Sequence, residues 1–168
     1  MNKKTEPNFE NLLQLVDQAE TIVITTHIMP DADGIGSQLA LASGLASIGK
    51  QVVCVNEDHL PPRFDFLTNG QNIMTYDSFK KSNIYKTGIH LFIAVDTHTH
   101  ERIGSNMRKI LQSAKNFVYI DHHPAPAATE IIHCVDTSSA ATGELVYVIL
   151  QKLNLEIDLQ MAKAIYMA

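Results

Sequence analysis

The amino-acid sequence predicts an α/β domain, with a mainly parallel sheet and helices on both faces. Two observations carry this prediction: apolar runs rich in Val and Ile recur along the chain, and amphipathic segments separate them. The runs are too continuously apolar to leave one face of a strand in water, so the strands are expected to lie between two layers of helices. A chain of 168 residues with 45% hydrophobic residues is long enough for one domain with a sizeable core.

The individual elements follow from the same pattern. We predict strands at the apolar runs TIVITTH, QVVCVN, HLFIAVD, FVYID and IIHCVD. We predict helices over residues 7–20, 34–49, 101–114 and 139–153. The last of these helices carries Glu144 and can be capped by Asp136, by Thr137 or by the serines after them.

Composition and charge argue against several classes of protein. Thirteen basic and eighteen acidic residues give a net charge of −5, which disfavours a protein that wraps long nucleic acid but leaves a small phosphorylated ligand open. No apolar run approaches the roughly 20 residues of a membrane span, and the start MNKKTEPNFENLL lacks the apolar segment of a secretory signal. Cys54 and Cys134 lie in apolar stretches, so we interpret both as core thiols. We therefore expect a cytoplasmic protein in a reducing compartment.

Ionisable side chains directly follow three of the predicted strands. The ligand site of a parallel sheet lies outside the carboxyl ends of its strands, so these residues are the most informative ones. They are His27, Asp31 and Asp33 after TIVITT, Asp96 after HLFIAV, and Asp121, His122 and His123 after FVYI. Each carboxylate could be only a helix cap or a turn residue, Asp31 and Asp33 above all. Because so many like charges at one edge would repel one another, a bound metal is the better interpretation.

The donor types and their spacing indicate the kind of metal. In PDADG, two carboxylates two residues apart in an extended turn can point to different ions, while His27 reaches back from the strand end. Carboxylates with a minority of imidazoles suit Mn²⁺, or Mg²⁺ and Co²⁺, better than structural zinc. Two such ions about 4 Å apart clamp a phosphoryl oxygen and activate water for phosphoester hydrolysis. Gly34 and Gly36 would then let a phosphate approach the backbone where the next helix begins.

The remaining histidines carry no such pattern. We interpret all of them as surface or satisfied core side chains: His59, His90, His98, His100 and His133.

The three strand-end motifs resemble a known family. HIMPDADGIGS, VDT at 95–97 and DHHP at 121–124 are similar in order and spacing to the first three motifs of the DHH phosphoesterase superfamily, over nearly the whole chain. NEDHLPPRFDFL, VDTHTHERIG and DTSSAATGELVY most resemble its bacterial oligoribonuclease and pAp-phosphatase branch. The resemblance implies a DHH-type domain.

The resemblance also implies a role for each matching residue. Two Mn²⁺ sites would share Asp96 as a bridging and hence catalytic group, one completed by His27 and Asp31 and the other by Asp33 and His122. His123 would face the substrate phosphate as a stabiliser of charge or a proton donor. Its neighbour already fills a ligand position, and adjacent side chains at a strand end are expected to diverge.

Three other residues have supporting roles in this scheme. Asp121 would fix an imidazole or the turn, because a ligating histidine generally needs such a partner. Ser37 and Arg102 are weaker candidates for a supporting or phosphate contact.

The sequence departs from the family pattern after LQMAKAIYMA, which resembles a family helix. The pattern continues into a further metal-binding Asp in a context like GDT and into a second, substrate-binding domain, and residues 1–168 contain neither. We therefore expect residues 1–168 to hold a DHH catalytic domain truncated before its last metal ligand, which folds but by itself is weakly active or inactive. Asp136 could replace that ligand, but its position before SSAATGELVY favours a helix cap.

The function implied by the resemblance is a Mn²⁺-dependent phosphoesterase. It would hydrolyse short oligoribonucleotides and 3′-phosphoadenosine 5′-phosphate (pAp) through two metal ions. Two alternatives stay open: a cyclic- or linear-dinucleotide phosphodiesterase, and a non-catalytic remnant that keeps metal ligands without turnover. The expected partners are short oligoribonucleotides or small nucleotides, with no long duplex nucleic acid and no membrane, and a homodimer is left open.

Overall fold

A six-stranded parallel sheet forms the centre of the domain. The computed structural model describes residues 7–68, 70, 73–124 and 132–168. The strands are β1 (Thr21–Thr25), β2 (Gln51–Asn56), β3 (Ile73–Thr75), β4 (Ile89–Val95), β5 (Ala114–Asp121) and β6 (Ile132–Val135). Their order across the sheet is β3-β2-β1-β4-β5-β6, and every neighbouring pair is parallel. The predicted α/β class is confirmed.

Side chains of the inner strands alternate between two apolar cores, one on each face of the sheet. In β1, Ile22 and Ile24 enter the first core and Val23 enters the second. In β4, Leu91 enters the first core and Phe92 the second. Burial on both faces explains why these strands are continuously apolar in sequence instead of alternating with polar residues.

Helices cover both faces, as predicted. The first core is closed by α1 (Phe9–Gln18), α2 (Ala32–Ser47), α7 (Thr142–Lys152) and α8 (Leu159–Met167). The second core is closed by α4 (Tyr76–Phe79), α5 (Asn83–Thr87) and α6 (Ser105–Ser113). A 3₁₀ turn at Pro62–Phe64 leads into the short α3 (Asp65–Thr68), which packs against the first core. Within the described residues, no helix is both long enough and apolar enough to cross a membrane.

The clearest difference from the prediction within a helix is the start of α6, which begins at Ser105 instead of residue 101. Gly104 has a left-handed backbone, with φ at 91°, and this conformation interrupts the helical path. The carboxylate of Glu57 accepts hydrogen bonds from the N–H groups of Asn106 at 2.8 Å and Met107 at 3.2 Å. The cap of this helix therefore comes from a distant segment, the loop after β2.

Two strand predictions also need adjustment. β3 was not predicted, because it has only three residues and each is half-buried. β5 begins at Ala114, three residues before the predicted FVYID. Ile131, the first residue of the predicted strand IIHCVD, lies outside the described residues.

The strand order creates a crevice at the carboxyl end of the sheet. From the central β1 the chain moves outward to β2 and β3, then returns to place β4 on the other side of β1. At such a topological switch point, the connections leave in opposite directions and open a crevice beyond the strand ends. His27 follows β1 and Asp96 follows β4, so both lie at this crevice.

Candidate metal centre

His27 is the buried centre of a first group of possible metal ligands. Its Nδ1 lies 2.7 Å from the carbonyl oxygen of Ile28. A carbonyl can only accept, so Nδ1 carries the hydrogen and Nε2 carries the lone pair of the neutral ring. Nε2 lies 3.3 Å from Asp96 Oδ2 and 3.7 Å from Asp31 Oδ1, and it makes no hydrogen bond. We call these three side chains the His27 half-site.

His122 repeats the arrangement on the other side of Asp96. Its Nδ1 lies 3.3 Å from the carbonyl oxygen of Ser139, which again leaves the lone pair on Nε2. Nε2 lies 3.5 Å from Asp33 Oδ2 and 3.9 Å from Asp96 Oδ1. We call His122, Asp33 and Asp96 the His122 half-site.

Asp96 therefore presents one oxygen to each imidazole. It is 2% exposed, and its backbone is left-handed with φ at 58°, an uncommon conformation that Asp tolerates better than most residues. Its N–H donates to the Ile120 carbonyl at 2.8 Å, and Oδ1 accepts from the Thr142 hydroxyl at 3.2 Å. These bonds hold the shared carboxylate between the two half-sites.

The two half-sites fit divalent cations. In each, an imidazole lone pair faces carboxylate oxygens, an arrangement that is repulsive unless a proton or a metal cation lies between them. The adjacent carboxylate of Asp96 raises the pKa of His27, although burial opposes this shift. Burial raises the pKa of Asp33, and the charge of Asp96 adds to the shift. The negative charge of the cluster therefore attracts cations. Its donors are mostly oxygen with some imidazole nitrogen, which suits hard divalent metal ions.

The two carboxylates of PDADG lie at the start of α2. Asp31 is the N-cap of α2 and accepts from the Gly34 N–H at 3.1 Å, so the capping alternative is realised while Asp31 also faces His27. Asp33 lies in the first helical turn, and the predicted extended turn across both residues is therefore wrong. A helical start still separates the two side chains, which face different imidazoles.

Asp33 is held by the amino terminus of α7. It accepts from the N–H groups of Thr142 at 2.8 Å and Gly143 at 3.0 Å, and from the Ser37 hydroxyl at 3.2 Å. A carboxylate at this position satisfies orphan N–H groups and is stabilised by the helix dipole. Ser37 thus supports Asp33, and Thr142, which contacts both Asp33 and Asp96, is a site residue that sequence reasoning missed.

The predicted cap of α7 by Asp136 is wrong. The helix begins three residues later than predicted, with Ala141 at the N-cap position and no side-chain cap there. Asp136 Oδ1 instead accepts from the N–H and hydroxyl of Ser138, at 2.9 and 2.6 Å, in a local turn. Within the described part of the chain, two groups of donors cluster closely enough for one metal ion: His27, Asp31 and Asp96, and Asp96, His122 and His123. Asp136 belongs to neither group.

His123 lies beside the cluster and is its most exposed imidazole, at 44% against 21% for His122. Its Nδ1 lies 2.8 Å from Asp121 Oδ1 and 3.7 Å from Asp96 Oδ1. The predicted divergence of the two neighbouring side chains is wrong: the ring centroids are 4.3 Å apart. Both residues follow β5 in a bend, where the alternation of a strand no longer applies.

Asp121 is fully buried between two histidines. Oδ1 accepts from the backbone N–H of His123 at 3.1 Å and faces its Nδ1, while Oδ2 lies 2.5 Å from His98 Nδ1. This geometry agrees with a role of Asp121 in fixing an imidazole. His98, which the sequence suggested was only a satisfied histidine, is indeed hydrogen-bonded, but to a carboxylate next to the candidate site.

The proposed phosphate approach at Gly34 and Gly36 is contradicted by their surroundings. A Cβ at Gly34 would lie 2.3 Å from Thr26 Oγ1, and one at Gly36 would lie 2.3 Å from the Ala164 carbonyl oxygen in α8. Both glycines therefore allow close packing within the protein. Arg102 is exposed, and its described contact is made by its backbone carbonyl, which accepts from the Ile28 N–H at 2.7 Å.

Three of the other histidines that the structure describes, His59, His90 and His100, belong to neither group of clustered donors. His59 is exposed, His90 pairs with Thr21, and His100 packs edge-on against Phe117 and Tyr119. The side chain of His133 lies outside the described residues. The interpretation of Cys54 and Cys134 as core thiols is confirmed, since both are buried and free.

Comparison with known proteins assigns the family. The family model described as "DHH family, N-terminal domain" matches residues 21–168. This chain belongs to the DHH family. The DHH motif that gives the family its name corresponds to Asp121, His122 and His123 at the end of β5.

Curated relatives of this DHH chain are distant and longer. The bifunctional oligoribonuclease and PAP phosphatase NrnA of Thermus thermophilus is 26% identical over 170 aligned positions, covering 90% of this chain and 44% of the relative. The probable NrnA of Streptococcus mutans is also 26% identical, covering 94% of this chain and 47% of the relative. This chain thus spans less than half the length of these relatives.

Solved structures share the fold. An exopolyphosphatase-related protein from Bacteroides fragilis superposes with a TM-score of 0.83 at 24% identity, covering 95% of this chain and 48% of that one. RecJ from Thermus thermophilus, solved in complex with Mn²⁺, gives a TM-score of 0.52 at 16% identity and covers 94% of this chain and 22% of RecJ.

Proposed function

We propose that this DHH domain is a metal-dependent phosphoesterase that hydrolyses short oligoribonucleotides and pAp. The observation that carries the proposal is the paired half-sites, in which two imidazole lone pairs each face carboxylate oxygens and share Asp96. Two-metal phosphoester hydrolysis uses two cations about 3.5–4 Å apart, and a carboxylate that faces both positions can hold them at such a short spacing. Membership of the DHH family supports the same class of chemistry.

The proposed ligands are those of the two half-sites. His27 and Asp31 would hold one ion, Asp33 and His122 the other, and Asp96 would bridge them. When bound, such ions neutralise phosphoryl oxygens and lower the pKa of a water that attacks phosphorus. We propose Mn²⁺ as the ion, with Mg²⁺ or Co²⁺ as substitutes, because the ligands are mostly oxygen with one imidazole for each ion.

His123 is proposed to act on the substrate. It is the most exposed histidine of the cluster, and the contact with Asp121 orients its ring. From there it can donate a hydrogen bond or a proton to a phosphoryl or leaving oxygen. Asp121 and His98 would act through His123 by fixing its position.

The substrate proposal rests on the names of relatives. Proteins called bifunctional oligoribonuclease and PAP phosphatase match most of this chain, and a protein of the same fold was solved with Mn²⁺. We propose that residues 1–168 make up the catalytic domain of such an enzyme. We also propose a cytoplasmic location, which the two free, buried thiols support.

The test is hydrolysis of a defined panel. The chain is incubated in Mn²⁺ buffer with di- to pentaribonucleotides, pAp, cyclic di-AMP and linear di-AMP, and products are separated by chromatography. We expect slow release of mononucleotides from the oligonucleotides and of AMP with phosphate from pAp, with no products after chelation or in Asp96→Asn. Glu156→Gln removes a carboxylate from the exposed surface and should match the unaltered chain.

The same panel separates the alternatives. Preferred hydrolysis of cyclic or linear di-AMP would replace the proposed substrate with a dinucleotide. Metal binding without hydrolysis of any substrate would instead identify a non-catalytic metal-binding domain.

A further inference from the structure

A cavity of about 280 Å³ lies at the opposite edge of the sheet from the metal centre. It is bounded by Gly88 and Ile89 at the start of β4 and by Ile110 and Ser113 at the end of α6. Because β4 runs from Ile89 to Val95, directly before the site residue Asp96, roughly 3.3 Å per residue places this cavity about 20 Å from the metal centre. It is therefore separate from the site described above.

The walls combine aromatic and apolar surface with a cation. Tyr76 and Tyr85 contribute rings, Ile89 and Ile110 contribute buried aliphatic surface, and Lys109 contributes an ammonium group. The Tyr85 ring is 42% exposed and packs edge-on against Phe79 with centroids 5.6 Å apart. Such a mixture suits a ligand that has a planar ring and a negative charge.

The cations beside this cavity are held in place by the protein. Lys80 Nζ lies 4.7 Å and Lys109 Nζ 5.6 Å from the centroid of the Tyr76 ring. Lys80 also pairs with Asp77 at 2.8 Å, and Lys109 donates to Asn106 Oδ1 at 3.1 Å. Two ammonium groups near one ring create a local positive field next to an aromatic surface.

The two chain segments that surround the cavity are rich in positive charge. Residues 76–90 and 105–116 form its surrounding elements and contain six of the thirteen basic residues but one of the eighteen acidic residues, Asp77. The basic residues are Lys80, Lys81, Lys86, Arg108, Lys109 and Lys115. In a chain of net charge −5, the two segments that surround the cavity thus carry a local excess of positive charge, although the Glu57 carboxylate binds the start of α6.

We propose that this cavity is a second ligand site and that it binds a mononucleotide. Tyr85 and Tyr76 would contact the base, and Lys109 would pair with the phosphate while Lys80 adds to the field. The cavity volume of about 280 Å³ is near the lower limit for ligand pockets, which favours one nucleotide over a longer oligonucleotide. The proposal does not depend on the reaction at the metal centre.

The test is an NMR titration of the 168-residue chain with AMP, adenosine and inorganic phosphate. A chelator keeps divalent ions away, so that the metal centre offers no cation to a phosphate. We expect saturable binding of AMP, with shifts at Tyr76, Tyr85, Gly88 and Ile89, and at least about tenfold weaker binding of adenosine or phosphate because each lacks half of the contacts.

Two variants and a matched control separate a built site from diffuse attraction. Lys109→Gln should raise the Kd of AMP about tenfold through loss of a charged contact, and Tyr85→Leu about fivefold or more through loss of stacking. Arg108→Gln removes a charge from the adjacent position on α6, outside the cavity lining, and should change the Kd less than about twofold.

Three results would overturn the proposal. They are the absence of saturable AMP binding, equal effects of Lys109→Gln and Arg108→Gln, and AMP-induced shifts confined to the carboxyl edge of the sheet. Lys109 is exposed, so its variant tests the proposal even if Tyr85→Leu disturbs the fold.

Discussion

The two half-sites follow the same design but are supported in opposite ways. In the His27 half-site the imidazole is 6% exposed and its carboxylate, Asp31, is 60% exposed. In the His122 half-site the imidazole is 21% exposed and Asp33 is 15% exposed. Asp33 also accepts three hydrogen bonds, two of them from the start of α7. One half-site is thus anchored through its histidine and the other through its carboxylate.

Because of this difference, the two carboxylates are expected to contribute differently to metal binding and to folding stability. Asp31 accepts from one N–H group of its own helix, and the loop before it is held by the Met29 N–H, which donates to Asp58 at 2.7 Å. Asp33 joins two helices that are distant in sequence. We therefore expect changes at Asp31 to affect metal binding alone, and changes at Asp33 to affect both metal binding and stability.

The largest effect is expected at the residue common to both half-sites. Asp96→Ala should remove the ligand that joins them and lower kcat/KM on the best substrate of the panel by more than about 10²-fold, beyond the loss for a residue that only supports a ligand. Asp31→Asn should cost less, because it alters one half-site. Equal losses in the two variants, measured in the same Mn²⁺ buffer, would argue against a shared ligand.

The next comparison sets Asp33→Asn against Asp31→Asn in the metal-free protein. Asn caps a helix about as well as Asp, so Asp31→Asn should leave the free energy of unfolding nearly unchanged. In Asp33→Asn, an amide NH₂ replaces an oxygen that faces N–H donors, which should cost about 1–2 kcal/mol. Urea unfolding measures both. Equal stabilities would show that Asp33 does not brace α7.

A smaller effect is expected from His98, which touches neither half-site directly in the contacts described. His98→Ala leaves Oδ2 of the buried Asp121 without its donor and loosens the partner of His123. We expect kcat to fall about tenfold with little change in KM and with metal stoichiometry retained. Partial recovery in His98→Asn, which can still donate, would support positioning. Loss of metal would instead place His98 in the coordination scheme.

The smallest effect concerns pH in the metal-free protein. The pKa of His27 is raised by Asp96, so the folded state holds this proton more tightly than the unfolded chain. The resulting stabilisation is complete below the ordinary pKa of 6.5 and is lost as pH rises through the higher folded value. The melting temperature should therefore fall as pH rises above about 6.5, and it should fall less in His27→Gln. If the melting temperature of the wild type rises with pH relative to that of His27→Gln, the raised pKa of His27 is contradicted.

Features that are determined by local sequence patterns could be predicted from the sequence. TIVIT and IHLFIAV are apolar enough to be recognised as inner strands, and the topology of a parallel sheet then places His27 and Asp96 at one edge. Asp31, as an N-cap, could also be recognised from its position before an apolar segment.

The features that sequence reasoning missed depend on contacts between distant segments. α7 is capped by Asp33, which precedes it by 109 residues, and α6 by Glu57, which precedes it by about fifty. Searching for a local cap therefore led to Asp136 and placed the start of α7 three residues early. The pairing of His98 with Asp121 spans 23 residues and joins the ends of two neighbouring strands, so no spacing rule indicates it.

The roles of Gly34 and Gly36 were missed for the same reason. A glycine at a helix start is compatible with an approaching phosphate, but here Thr26 and the end of α8 occupy the space. Only the packing of the whole domain distinguishes these explanations.

Anomalous scattering from a crystal soaked in Mn²⁺ tests the central claim most directly. We expect two peaks, one contacted by His27, Asp31 and Asp96 and the other by Asp33, His122 and Asp96, with Asp96 common to both. In Asp96→Ala crystals both peaks should be lost or strongly reduced. A single peak, two peaks without a shared Asp96 contact, or unchanged peaks in Asp96→Ala would contradict a two-metal centre bridged by Asp96.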